Sequence, residues 1–532
     1  MKNGERNDNI ASGDRYSTKS KGFVSPVPFS EKPHAPWKIA PRILNENEDL
    51  PLVAQGAITG HIVPSAPTPQ VLNFQSGSPS PSPEEPVTFR TFSKTQLKAG
   101  WPPDMSGAKA GDVVVMSGNL WLKLSVDGGN TFTNLDFTEL FAADTIYGGW
   151  AGDQVIHYVP AIDCFILYVQ SFQGTGANAS KNVVKVAIAS PDDLKKFAGG
   201  RAAWWRQWDF TSDTFGLGNR WMDFPDLTYG YSDPFGDKFL YINTNIFAGK
   251  AFQGKLFFEL PLAALREGSG FTFQYAFIND RKLTFGSPTQ NISDENYWAA
   301  HVDNSTMRIY SSKGSDANYY WRERKLKNWP MTRDNDIISA APDFPDWISE
   351  DHRIIGATRV NNQLWFAWTA TKGDGGGGGF NFPQPHVQIA KFDLSQDYKL
   401  LEQMQIWNPD NAFAYPCLMT NSHNEVGISL SWGGGGRYFG SHAVGILGDF
   451  IVWYGEESEV TSERQKQDDA GNPVTNPDGS PVMISRWGDY VHVRLAHPDT
   501  RFFSAFGYAV LKDSTATPPE KFDYLYVEFG RD

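Results

Sequence analysis

Asp153-Gln154-Val155-Ile156-His157-Tyr158, Asp163-Cys164-Phe165-Ile166-Leu167-Tyr168 and Asn182-Val183-Val184-Lys185-Val186-Ala187-Ile188 are three apolar runs separated by turn-forming residues. β-Branched and aromatic side chains dominate them, and Gly, Pro, Asn or Asp bounds each one, which predicts three short strands in succession. The trio recurs. It returns as Asp226–Tyr229, Lys238–Asn243 and Lys255–Leu260; then as Tyr297–Val302, Met307–Tyr310 and Asn318–Trp321; then as Ile354–Ala357, Gln363–Trp368 and His386–Ala390. Two further copies follow, Pro416–Met419 with Glu425–Leu430 and His442–Ile446, and Tyr490–Leu495 with Phe502–Phe506 and Tyr524–Phe529.

A fixed period of this kind is the mark of a repeat architecture. The units are spaced roughly 60 to 75 residues apart, longer than the roughly 40 to 50 of known propeller repeats, so long insertions are expected. A partial unit, Asp112–Met116 with Leu120–Leu124, precedes them. Its missing strand is expected from residues 88–92 or from the C-terminus, a closure that removes the exposed edge of the ring. The expected fold is all-β: a single large β-propeller of seven blades, with six as the alternative. Only Ser190–Phe197 and Pro261–Arg266 read as helices, of one or two turns each.

Composition agrees. The chain has 532 residues, 40% of them hydrophobic and 14% aromatic, with 18 Trp, 50 Gly and 34 Pro. That is a large core joined by many turns. A net charge of −13 argues against a partner that presents a phosphate backbone or an anionic membrane, and no apolar window of about 18 residues supplies a membrane span. A soluble protein with neither nucleic acid nor membrane as partner is expected. The N-terminal Met1–Asp8 is polar and lacks the apolar stretch of a secretory signal. Cys164 and Cys417 lie inside apolar runs and read as small buried core residues.

Residues 1–85 differ from the rest. They are rich in Ser, Pro and charge and end in Ser76-Gly77-Ser78-Pro79-Ser80-Pro81-Ser82-Pro83, which favours extension. They read as an arm in front of a propeller domain spanning 86–532. Ala57–Val63 could lie on the body as an edge strand or clasp, and the arm could tether a protein partner.

Ser125-Val126-Asp127-Gly128-Gly129-Asn130-Thr131-Phe132 resembles the Asp-box (BNR repeat) of sialidase-like propellers, Ser-x-Asp-x-Gly-x-Thr-Trp, with Phe132 in the aromatic position. Asp127 and Gly129 suit a tight turn whose side chain caps its own backbone, with the aromatic beneath the hairpin. The resemblance implies a sialidase-like fold. It is silent on activity, because these boxes lie away from the active site in that superfamily.

In a propeller, the segment opening each innermost strand lines one mouth of the central channel. Here those segments read Tyr147–Asp153, Arg220–Asp226, Thr289–Asn291 with Asp294–Tyr297, Asp351–Arg353, Phe413–Tyr415 and Arg486–Tyr490. Aromatic faces with carboxylates, amides and arginines suit a carbohydrate or other small polar ligand, stacked on rings and held by planar hydrogen bonds. Asp223, Asp489, Tyr490 and Arg486 are the candidate catalytic residues. Arg220, Trp221, Trp150, Tyr415, Trp487, Arg353 and Arg437 are the candidate ligand-binding residues. The bland alternative is that Asp153, Asp223 and Asp489 tie adjacent blades by accepting backbone N–H bonds.

A sialidase would need three arginines, for which Arg220, Arg353, Arg437 and Arg486 qualify, and a Tyr nucleophile, Tyr490 or Tyr415. However, Pro41-Arg42-Ile43-Leu44 departs from the family's Arg-Ile-Pro motif, so sialidase activity itself is not expected. His157, His301, His442 and His492 fall on four units, but no ligand spacing joins them, and no metal site or cofactor is expected from them. Calcium is left open, because Asp-rich turns are too common to single one out. Asp374–Phe380 and Trp432–Tyr438 are glycine-rich without the context of a phosphate loop. The chain is expected to be a glycoside hydrolase or lyase working in the channel mouth, or else a non-catalytic propeller that binds a protein or glycan.

Overall fold

The computed structural model describes residues 15–28, 54–55, 70–73, 87–97, 102–119, 121–198, 206–230, 238–281, 283–331, 352–375, 380–434, 437–447, 451–453, 458–460, 463–465, 473–485, 487–516 and 520–532. Strands account for nearly all regular structure. Helices among the described residues are Phe137–Leu140, Pro191–Ala198 and Leu262–Glu267, with two single 3-10 turns. The last two were expected; the first was not.

The tripled runs fold as antiparallel meanders, each gaining a fourth strand. Sheet A orders Trp150–Val159, Cys164–Ser171, Val183–Ala189 and Arg206–Thr211. Sheet B is Trp221–Tyr229, Phe239–Ala248, Ala251–Pro261 and Phe271–Ile278; sheet C is Thr284–Phe285, Glu295–Asp303, Thr306–Lys313 and Asn318–Lys325. Sheet D is Gly356–Val360, Gln363–Ala370, His386–Asp393 and Lys399–Trp407; sheet E is Asn411–Thr420, Val426–Gly434, Arg437–Ile446 and Ile451–Trp453.

Two short hairpins, Gly373–Gly375 with Phe380–Phe382 and Glu463–Gln465 with Met483–Ser485, stand apart, and nine further strands form one sheet, F. It consists of two meanders joined by a short parallel pairing, Ala496 with Lys109 and His497 with Ala110. Besides the two hairpins, the pairing therefore gives five separate sheets and one merged sheet in an all-β, propeller-like arrangement. The strand missing from the partial unit is Ser106–Ala110, which pairs with Val113–Gly118. Residues 88–97 instead pair with the C-terminal strand Glu520–Gly530. The expectation for that closure was wrong because Ser106-Gly107-Ala108-Lys109-Ala110 has too little apolar bulk to read as a strand.

Period-2 alternation explains why the runs are nearly all apolar. In sheet A, Val155, Ile166 and Tyr168 pack against Met222, Leu227 and Leu240 of sheet B. Ile156, Phe165 and Leu167 face the opposite way, onto Val113, Val115 and Leu122 of sheet F. Both faces are covered, so neither needs polar residues. Cys164 and Cys417 are buried free thiols.

Segments of the first 85 residues add edge strands to the body. Arg15–Thr18 pairs with Asn318–Trp321 of sheet C, Ser20–Val24 with Phe271–Tyr275 of sheet B, and Gln70–Asn73 with Met404–Trp407 of sheet D. Edge strands left open would invite association, and these additions cover them. Lys19, between the first two, is buried, and its Nζ lies 2.7 Å from Glu259 Oε2 of sheet B and 3.3 Å from Ser312 Oγ of sheet C. Ala57–Val63, Pro41–Leu44 and Ser76–Pro83 lie outside the described residues.

The turn at 125–132 folds as its residue types dictate. The Asp127 carboxylate accepts from Thr131 N (2.9 Å) and Thr131 Oγ1 (2.5 Å), Ser125 Oγ accepts from Gly129 N (2.8 Å), and the buried Phe132 meets Tyr526 edge-on. This turn joins Trp121–Ser125 to Thr133–Leu135 of sheet F.

Candidate functional site

The innermost strands break their ladders where they approach the axis. The pairing shifts between Gly152 and Val155, between Asp223 and Asp226, and between Ala414 and Cys417. At these bulges the non-glycine residues Asp153 (φ 47°), Phe224 (φ 51°) and Tyr415 (φ 58°) take left-handed backbone. Such conformations are costly and are held only where the surroundings fix them. Each bulge turns its strand's opening residues toward the others.

The Asp153 and Asp223 carboxyls hydrogen-bond to one another. Gln170 Nε2 donates to both, at 3.1 Å to Asp153 Oδ2 and 2.6 Å to Asp223 Oδ1. Removal from water, followed by the Asp223 charge and then those of Asp104 and Asp489, pushes Asp153 well above the usual carboxylate range. Two acids in contact cannot both ionise cheaply, so the pair holds a proton.

Asp153 Oδ2 also accepts from Phe224 N (3.1 Å), tying sheet A to sheet B. Asp104 does the same across sheet F: Oδ1 accepts from Asp489 N (2.5 Å), and Oδ2 from Asn119 Nδ2 (3.0 Å). Backbone tying and a shared proton therefore coexist at Asp153. Gly488 sits against this corner, where a Cβ would come within 2.7 Å of Asp104 Oδ1 and 2.5 Å of Tyr508 Oη.

Tyr490 Oη donates to Gln154 O (3.4 Å), and its ring lies edge-on to Phe224, 6.2 Å away. Burial, then the carboxylates of Asp153, Asp104, Asp489 and Asp226, hold its hydroxyl protonated far above the normal tyrosine range. Arg353 stacks its guanidinium 3.8 Å over Phe224.

Of the residues expected from sequence, Asp223, Asp489, Tyr490 and Arg353 thus meet at one mouth. Tyr415 and Trp487 are buried behind it, with Trp487 Nε1 donating to Ser431 Oγ (3.2 Å) and its ring on Tyr508. Trp150 is buried in the core with its indole donating to Ala142 O. Trp221 packs on Phe247 and bonds Gly249 O, while Arg220 bonds Leu217 O beside Phe277. These three serve their own sheet and its neighbour rather than the mouth. Arg486 and the Arg437 side chain lie outside the described residues.

Sequence reading did not include Asp104, Asn119, Gln170 or Phe224. A signal existed: Asp104 stands just before the strand Ser106–Ala110 as Asp489 stands before His492–His497, whereas Asp153 and Asp223 lie near the start of theirs.

Below the mouth, a narrow axial cavity is lined by Phe224–Asp226 of sheet B, Ser287, Ile355, Pro416 and Tyr490–His492. Asp226 Oδ1 lies 3.4 Å from Arg494 Nη2 and 3.9 Å from His492 Nε2. His492 and His157 are pushed far below the ordinary histidine range, first by burial and then by Arg494. His301 is packed between Trp329 and Trp368, and His442 Nε2 bonds Ser429 Oγ at 2.6 Å. Among the described residues, no group of three or more His, Cys, Asp or Glu is arranged to hold a metal ion. No helix among them is long and apolar enough to cross a membrane.

No family model matches the chain, and no curated protein matches it. Solved structures resembling it include xylan β-1,4-xylosidase from Bacillus halodurans C-125 (13% identity, TM-score 0.29), covering 56% of this chain, which spans about half (54%) of the xylosidase. Trypanosoma rangeli sialidase matches at 11% identity and TM-score 0.31, covering 84% of this chain and 73% of its own. A prolyl endopeptidase matches at 7% identity and TM-score 0.36, covering 81% and 50%. At TM-scores below 0.5 these likenesses carry no argument about chemistry.

Proposed function

We propose that the chain is a carbohydrate-active propeller of the sialidase-like kind, with the two meanders of sheet F counted as fused blades, making seven. It binds a polyhydroxylated ligand in the channel mouth and acts on it by hydrolase- or lyase-type acid/base chemistry. The observation that carries this reading is the hydrogen-bonded Asp153–Asp223 pair, whose Asp153 carboxyl is held well above the usual carboxylate range. A carboxylic acid in that state is a general acid. Asp489 supplies a second carboxylate. Tyr490 and Arg353 orient the ligand, with Arg486 assigned the same work from its place in the sequence. Only one described arginine stands at the mouth, which disfavours recognition of a carboxylated sugar by an arginine triad.

A glycan-array binding assay, paired with release of reducing ends by wild type and by Asp223→Asn, tests this. Turnover should fall by at least about 100-fold in the variant while binding persists. Binding without turnover in wild type would replace the enzyme with a glycan-binding module, and wild-type inertness in both assays would overturn the reading.

A further inference from the structure

The mouth does not end at the acid pair. Phe224 and Tyr490, which frame it, are also the upper wall of the axial cavity, which encloses about 260 Å³ with its open end included. Most of that is open solvent: the enclosed part has room for about one water-sized group, so it suits only the hydroxyl-sized tip of a larger molecule. Sheets B, E and F contribute to its wall, with Ser287 and Ile355 from the segments beside sheets C and D. Pro225, Ile355, Pro416 and Val491 supply its apolar lining, here called the sleeve, and Asp226, Ser287 and His492 its polar lining, here called the base.

Three polar atoms around the base lack bonding partners. His492 Nδ1, His157 Nε2 and Arg494 Nε are buried with no hydrogen-bond partner, although such groups in a folded protein are normally satisfied by protein, water or ligand. Charge is balanced locally. The Asp226 carboxylate faces Arg494, and both imidazoles are held neutral by burial. A charged occupant would enter an apolar sleeve without a free counter-ion, at a heavy desolvation cost. A short uncharged group with a hydroxyl at its tip has its carbon matched by the sleeve and its hydroxyl matched by the base.

We propose that this axial cavity is a binding subsite for an uncharged, hydroxyl-bearing arm of the ligand, such as the hydroxymethyl group of a neutral sugar. The hydroxyl is read by His492 and Asp226. The subsite rests on the mouth being where the ligand enters, and it deepens that reading to neutral rather than carboxylated or amino sugars.

The full chain holds only 10 histidines, so selective ring labelling gives a legible spectrum, with His492 assigned through His492→Gln. Ethylene glycol is the probe; acetate and methylammonium are the charged controls. The His492 ring signal should shift saturably with ethylene glycol and not with either ion, and Val491→Phe, which fills the sleeve, should abolish the shift. Ile355→Phe fills it from the opposite wall if Val491→Phe does not fold. Absence of a saturable shift, a shift surviving both fillings, or a stronger response to an ion overturns the subsite. Glycan binding that persists in that event leaves the mouth reading standing, whereas a responding cavity in a chain that binds no glycan condemns the mouth reading alone.

Discussion

Asp153 and Asp223, from neighbouring sheets, share one hydrogen bond and one amide donor, Gln170 Nε2. Each strand delivers its carboxyl by a left-handed bulge, at Asp153 itself and at Phe224. The pair exists only because two sheets converge.

That convergence has a pH signature. Asp153 holds its proton more tightly folded than unfolded, so its stabilising effect is complete below about pH 4 and is lost as pH rises through its folded value. Asp153→Asn, which imitates the protonated acid, should flatten this slope and stabilise the fold near neutrality by on the order of 1 kcal/mol. Urea midpoints from pH 4 to 8 would show it; an unchanged slope would mean the proton is not held there.

Lys123 gives the opposite sign. Its side chain is buried between sheet F strands, donating to Thr95 Oγ1 at 2.7 Å, and burial lowers it to about 7 despite the nearby Asp523. The unfolded chain binds that proton up to roughly pH 10, so stability should rise between pH 7 and 10 on this account. Lys123→Met should remove the rise and stabilise the protein at pH 6 by about 1–3 kcal/mol. Thermal melts of the two proteins at pH 6 and 9 decide the matter.

Lys19→Met leaves Glu259 buried without its cation. A loss of about 3–5 kcal/mol is expected, with much of it recovered by adding Glu259→Gln. Denaturant unfolding of the single and double variants measures the coupling.

Trp150 and Tyr490 should separate core from site. Trp150→Ala should cost about 3–5 kcal/mol of stability and leave ligand binding by the folded fraction intact. Tyr490→Phe loses only a long 3.4 Å bond, about 1 kcal/mol or less, yet should weaken glycan binding. Equal losses of binding in both variants would contradict this division.

The sequence made the meanders legible because a strand covered on both faces must be apolar along its length, as Val155-Ile156 shows by sending one side chain to each neighbouring sheet. It also marked the mouth, since Asp223, Asp489 and Tyr490 each stand at the opening of an apolar run. Ser106–Ala110 escaped because small residues suffice where Phe506 already occupies the space beside Gly107, and Asp104 was lost with it. Trp150 misled for the converse reason: its place before a strand matched the pattern, but its ring turns into the core. Gln170 sits at the end of its strand between Val169 and Ser171, and nothing local announces that it faces two acids from another direction.

The edge strands donated by Arg15–Val24 impose a schedule on biosynthesis. These residues leave the ribosome long before the strands Phe271–Ile278 and Asn318–Lys325 that receive them. At roughly 5–20 residues per second the wait is on the order of 15–60 s. For that interval the nascent chain carries an unmated strand and Lys19 without its acid, and the seam between sheets B and C can be sewn only once the chain has been made past Lys325.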